Sequence, residues 1–499
     1  MADKKLSAFQ KVNDFLYRNR KYMVVAYIVA TVVFFSLEFG FLMNWDMLVR
    51  IMNANYLFHG GQYFEDQRAL LESFLIGIFS FVLGPYAVYA FIALATVIFF
   101  VAVYYFSKSF GIDSVLTLGV VFNPFFLFYA IRNGSELPMY AFLILFIAMI
   151  KAKKPQYAGI FMALAFVSKY DSLFLLPLAL FLVDWNAVGS LKRLGVFAAS
   201  ALLALVPFFA YNLALYHNIF FTFASSFYQN SATLAGTFSS GSGYIATGFE
   251  ELVVLIPLAA MVLLLKKRKT SLLKSRKSDV LILLSALFLF FVIYILVSHM
   301  FSAGLNYFRF FLPVTLFATL ILSLFLDKRM VLLTLLFFVV SMVLAYQILY
   351  SQPFNSSVLG GQISAAKSLL YSAYNTTNCT VQSNNWVFLD YYGISATYPR
   401  GENYSQYPII GFGPLGASAA SMVGGNYTLK GEKDGIFLYG YGVSDTACRY
   451  TPVVDLEYGV NSDISQSSAN DTIACHLIYS KLRLSAVLDA CIGVTDVLH

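Results

Sequence analysis

The sequence predicts an all-α polytopic membrane bundle of about eleven transmembrane helices with a C-terminal external α/β domain. Three observations predict it. Of the 499 residues, 59% are hydrophobic and only 12% charged, where a soluble chain carries roughly 25% charge. Apolar runs of spanning or near-spanning length recur through residues 1–350, separated by short loops. From Ser351 the chain turns polar, and all four cysteines fall in that part.

In chain order, residues 1–21 are polar and basic, and 22–43 is long enough to span, so this segment reads as a retained signal anchor. Residues 44–85 form the first external loop. Within it, 70–84 is apolar but short and ends in Gly-Pro, which reads as a helix lying at the interface. Further spans are expected near 86–107, 114–131, 137–150, 157–168, 172–184, 194–216, 252–265, 280–298, 310–326 and 330–349. Eleven spans after a cytoplasmic N-terminus place residues 351–499 outside, at the cell surface or in a lumen.

The basic residues agree with that topology. Twenty-one of the 26 Lys and Arg before Ser351 fall on the side expected to be cytoplasmic, as the positive-inside rule requires. The cluster at 266–277 is the densest of these. Five bases remain on the opposite face: Arg50, Arg68, Arg132, Lys169 and Arg309. Carboxylates gather there too, at Asp46, Glu65, Asp66, Glu72, Glu136, Asp171, Glu250 and Glu251. Charges at membrane depth are costly and usually line a functional cavity. Together they describe a site for an anion with a hydroxyl-rich body. The plain alternative is paired charges that only stabilise loops.

The stretch 44–72 concentrates this chemistry. Asp46 and Arg50 are spaced i, i+4 and share a helical face. Gly60 and Gly61 form a hinge, and Glu65, Asp66 and Arg68 follow on what reads as a loop. The polar C-terminal part reads as a soluble mixed α/β domain. It carries six Asn-X-Ser/Thr sequons, at Asn355, Asn375, Asn378, Asn403, Asn426 and Asn470. Its cysteines, Cys379, Cys448, Cys475 and Cys491, predict at least one disulfide in an oxidising compartment. No Walker A, Rossmann, HExxH or GxSxG motif is present, and the five histidines lack metal-ligand spacing. No metal, cofactor or nucleic-acid partner is expected.

A lipid-phosphate-linked sugar keeps its tail in the bilayer and its phosphate at headgroup level. Arg and Lys there hold the phosphate, and a carboxylate takes a proton from an acceptor hydroxyl. The order Asp46, Ala54, Leu57, Gly60-Gly61, then Tyr63-Phe64-Glu65-Asp66-Gln67-Arg68 and an interfacial helix, resembles the GT-C glycosyltransferases. It is most similar to the polyprenyl-phosphate-sugar-dependent group that includes protein mannosyltransferases and the lipid A aminoarabinose transferase. Where that group often carries prolines, this chain has Ala69 and Glu72. GSELP at 134–138, LAFVSKYDSL around Lys169, YFRFFLP at 307–313 and SNNWVFLDYYG at 383–393 resemble later blocks of the same enzymes.

The resemblance implies a GT-C bundle and an inverting glycosyltransferase, hexosyl- or mannosyltransferase-like. Its partners are a polyprenyl- or dolichyl-phosphate-sugar donor, the lipid bilayer, and a protein, lipid or glycan acceptor. It makes Asp46 the general base. Arg68 and Arg309 grip the phosphate with Lys169 as helper, and Glu65 and Asp66 orient hydroxyls. Arg50, Glu136 and Tyr307 complete the substrate-binding set. A competing assignment makes Asp66 the base and leaves Asp46 paired with Arg50. Two other classes stay open. A transporter or flippase calls for an internal repeat or broken helices in matching halves. An oligosaccharyltransferase calls for WWDYG, and the chain has LDYYG at 389–393.

Overall fold

The structure is a computed structural model. It describes residues 8–37, 45–61, 64–65, 68–121, 134–183, 191–223, 226, 276–300, 312–351, 356–383, 385–397, 407–412 and 427–441. Asp66, Tyr307, Arg309, the span expected at 252–265 and three of the four cysteines lie outside the described residues.

The chain opens with α1 (Ala8–Arg18) and α2 (Arg20–Leu37). The expected first external loop contains two helices, α3 (Trp45–His59) and α4 (Leu71–Leu83), the second of them over the segment expected as an interfacial helix. A 3-10 turn over Gly84–Tyr86 leads into α5 (Ala87–Phe110). Gly84, at φ +52°, and the proline after it interrupt the helical ladder between α4 and α5. The outer side of α4 leaves Phe74, Ile78, Phe81 and Val82 exposed, the apolar face an interfacial or lipid-facing helix needs.

Next come α6 (Ser114–Val121), α7 (Glu136–Lys151) and α8 (Pro155–Ser168). The span expected at 172–184 is a 3-10 helix, Tyr170–Leu182, with Pro177 inside it. Pro177 lacks the N–H that would close a helical hydrogen bond at that point. Then follow α9 (Leu191–Tyr216), α10 (Lys277–Met300), α11 (Leu312–Ser323) and α12 (Val331–Ser351). Among the described residues, only Leu71–Phe110 and Leu191–Tyr216 are both long and apolar enough to cross a membrane. Four further apolar helical pieces are shorter.

α7 is the centre of the bundle. Every residue from Glu136 to Ile150 is buried, so it is apolar all round, as an interior helix must be. α5, α8, α10, α11 and the 3-10 helix share its core. Between helices already surrounded by hydrocarbon, dispersion and close approach supply the attraction. Gly159 of α8 provides one such approach. A Cβ there would collide with Ser200 Oγ and Phe197 O of α9.

The C-terminal region is mixed α/β. α13 (Ser356–Tyr374) and α14 (Trp386–Tyr391) accompany five strands: β1 (Val381–Ser383), β2 (Ala396–Thr397), β3 (Ile409–Phe412), β4 (Tyr427–Lys433) and β5 (Ile436–Tyr441). Their order is β2-β1-β3-β5-β4. β1 runs parallel to β2 and β3, while β5 is antiparallel to β3 and β4. Cys379 is disulfide-bonded, and the other three cysteines lie outside the described residues. Leu48 and Val49 of α3 enter the apolar core built on Ile363, Trp386 and Leu438. On another side, Met47 and Ala54 pack with Ile76, Ala87 and Phe91. α3 is therefore clamped between the C-terminal region and α4–α5, which fixes where its polar side points.

Candidate active site

α3 presents Asp46, Arg50 and Asn53 at i, i+4 and i+7, one polar face between two apolar ones. After α3 the chain reverses. Gly60 adopts φ +67°, and Gly61 N–H donates to Asn55 O at 3.1 Å. The returning segment is sewn to α3 by a two-way amide bond. Asn53 Nδ2 donates to Glu65 O, and Glu65 N–H donates to Asn53 Oδ1, both at 2.8 Å. The Phe64 ring stacks on Tyr56 at 4.8 Å.

This reversal creates the first ion cluster. Arg68 Nη1 reaches Asp46 Oδ1 at 2.8 Å, and Arg68 Nε reaches Glu65 Oε2 at 2.6 Å. Glu65 is fully buried, while Asp46 keeps 14% and Arg68 26% of their side-chain surface. The i, i+4 spacing predicts contact between Asp46 and Arg50, and the structure pairs them differently. Arg50 Nη1 donates to Glu72 Oε2 at 2.9 Å and to Ala69 O at 2.8 Å. Both side chains of that pair are buried. Arg50 sits below the Asp46 cluster because Gly134 leaves room for it. A Cβ on Gly134 would stand 3.0 Å from Arg50 Cδ.

A third cluster forms where α7 begins and α8 ends. Lys169 Nζ binds Glu136 Oε1 at 2.8 Å and Asp171 Oδ2 at 3.4 Å. Glu136 occupies the first turn of α7, where a carboxylate also meets the positive end of the helix dipole. Glu136 and Ser168 both act on the Glu72 carboxylate, so the second and third clusters adjoin.

Six of the nine residues expected at the site are described: Asp46, Arg50, Glu65, Arg68, Glu136 and Lys169. They fall into these three neighbouring ion clusters. Two participants were missed as site residues. Glu72 is the buried partner of Arg50, and Asn53 holds the return of the chain. Asn53 lies three residues after Arg50 on the same face, a signal present in the helical spacing. Five carboxylates meet three cations in these pairs, so acidic side chains outnumber basic ones among the described residues of the cluster. Elsewhere, Asp390 of LDYYG accepts the Ala396 N–H at 2.7 Å and anchors β2, a structural task.

No protein-family model matches the chain, and no curated protein sequence does. Among solved structures, the chain is similar to the crystal structure of ArnT from Cupriavidus metallidurans bound to undecaprenyl phosphate. The TM-score is 0.59 at 10% identity, over 86% of this chain and 99% of that one. The apo-state crystal structure of the same protein aligns over the same shares at TM-score 0.40. At this identity the first likeness is one of fold: this chain has the polytopic architecture of that protein.

Proposed function

We propose that the protein is an inverting GT-C-type glycosyltransferase. It moves a sugar from a polyprenyl-phosphate-linked donor to a hydroxyl of a protein, lipid or glycan at the external membrane face. One observation carries this reading. Among the described acids of the stretch 44–72, Asp46 alone is both ion-paired and partly exposed, while Glu65 and Glu72 are sealed. The fold adds support, because the similar ArnT structure holds undecaprenyl phosphate, the class of carrier the reading requires.

In this reaction Asp46 accepts the proton of the acceptor hydroxyl. The hydroxyl oxygen attacks the anomeric carbon from the face opposite the phosphate. The bond from that carbon to the phosphate oxygen breaks, and polyprenyl phosphate leaves with the bonding pair. Arg68 fixes the Asp46 carboxylate and stands beside the departing phosphate. Each described cation of the cluster is already paired with a carboxylate, so the phosphate needs a further cation. Arg309 in YFRFFLP is the residue assigned to supply it, with Tyr307 beside it. Glu65 and Asp66 orient hydroxyls, and Lys169 with Glu136 and Arg50 shapes the floor.

Membranes containing the protein, supplied with radiolabelled polyprenyl-phospho-hexoses and acceptor, test the reading. Protein-dependent release of polyprenyl phosphate is expected. Exchange of intact donor between leaflets without release would instead mark a transporter.

A further inference from the structure

The far end of α5 carries a second, separate concentration of cations. α5 has 24 residues, so its ends lie roughly 36 Å apart at 1.5 Å per residue. Its Ala87 end packs near Met47 of α3. At its Phe110 end, Arg276 donates to Phe110 O at 2.9 Å and Gly111 O at 3.2 Å. Beside that junction opens a cleft of about 470 Å³, lined by Arg18, Arg20, Lys21 and Asp113 among others.

The charges of this cleft do not cancel. Asp113 is the one acid among the described residues lining it, and it is already committed. Its Oδ2 takes Arg20 Nε at 3.2 Å, and its Oδ1 accepts the Val115 N–H at 2.9 Å at the start of α6. Arg20 is also held by Tyr17 O at 3.1 Å. Arg18 and Lys21 are exposed and enter none of the ion pairs among the described residues; Lys21 lies over the Tyr22 ring. Among the described residues, these two positive charges at the cleft mouth are paired with no acid.

An apolar track leaves from the same mouth. Tyr22, Val25, Val29, Val32 and Val33 of α2 are all about half exposed or more. Their spacing of three and four keeps them on one side of the helix. Phe15 of α1 is 66% exposed near the start of that track. A free inorganic anion explains the cations and leaves the track unused. A phosphodiester headgroup with attached acyl chains uses both, which is how basic clefts between membrane helices hold anionic lipid.

We propose that this cleft binds the headgroup of an anionic phospholipid, with an acyl chain lying along α2. The site is distinct from the Asp46 cluster and independent of the reaction assigned there. Native mass spectrometry of the full chain in detergent, titrated with phosphatidylglycerol and phosphatidylcholine, tests it. One phosphatidylglycerol should be retained in preference to phosphatidylcholine. The Arg18→Gln, Lys21→Gln double variant should bind phosphatidylglycerol roughly 30-fold more weakly, from about 1 kcal/mol per lost charge. The Arg18→Lys, Lys21→Arg pair should retain wild-type binding, which separates lost charge from lost structure. Equal binding of the two lipids, or wild-type binding by the Gln pair, would overturn the proposal. So would displacement of phosphatidylglycerol by equimolar inorganic phosphate, which would make the cleft a simple anion site.

Discussion

Arg50 shows how far local spacing reaches and where it stops. The i, i+4 rule places it on the Asp46 face, and that is correct. The rule does not select its partner, because Glu72 lies 22 positions away and arrives only through the chain reversal. The same reversal gives Arg68 to Asp46. A buried ion pair is costly to break on one side, because the remaining charge stays desolvated. Arg50→Ala should therefore destabilise the protein by about 3–5 kcal/mol, read as a lower melting temperature in detergent. Arg50→Met combined with Glu72→Leu should recover most of the loss. An Arg50→Ala variant that melts like wild type would show that the pair does not stabilise the fold.

At the scale of elements, hydrophobic runs located most of the helices. The segments expected near 86–107, 137–150, 157–168, 194–216 and 330–349 all appear as helices. What the runs could not reveal was helix type and tertiary return. The apolar run at 172–184 is indistinguishable by composition from an α-helix, yet it is wound as 3-10. Within the expected first external loop, the i, i+4 spacing of Asp46 and Arg50 reads as a helical face, and the structure forms α3 there between two apolar partners. The Gly-Gly reversal was legible as a hinge, and its geometry explains the need for glycine. A Cβ on Gly61 would stand 2.9 Å from Tyr56 N and 3.0 Å from Asn55 C. Gly61→Ala should push the returning segment off α3 and lower turnover at least tenfold, roughly the effect of a 1 Å misplacement or less. Gly195→Ala, which meets nothing within 4 Å, serves as the neutral control. Unchanged release of polyprenyl phosphate by Gly61→Ala would separate the reversal from the reaction.

At the scale of the molecule, the two ends of the bundle differ in charge chemistry. Arg20, Arg276 and Lys151 converge around the Phe110 end of α5, where Lys151 pairs with Asp279. The Asp46, Arg50 and Lys169 clusters gather at the α3 end. Composition and the count of basic residues made this division legible without coordinates, since each loop charge is a local property of the sequence. Which acids and bases touch was not legible, because that depends on packing between distant segments. The proposed function requires the first end to be cytoplasmic and the second external. Cysteine-accessibility labelling in sealed vesicles should find Lys274→Cys protected from outside and Asn403→Cys reactive. The reverse pattern would place the Asp46 cluster on the wrong face for an external acceptor.

In the proposed reaction Asp46 is the base. Arg68 and the start of α3 hold its carboxylate at the edge of the cluster, and the neighbouring acids Glu65 and Glu72 are closed to an acceptor. Asp46→Asn keeps the shape and removes the proton acceptor. The most direct measurement is single-turnover release of polyprenyl phosphate by Asp46→Asn and Asp66→Asn, alongside donor binding. Asp46→Asn should slow release by roughly 10²–10⁴ with little change in donor affinity, the usual share of general base catalysis, and Asp66→Asn should cost less. Near-normal release by Asp46→Asn with loss in Asp66→Asn would contradict the account and make Asp66 the base.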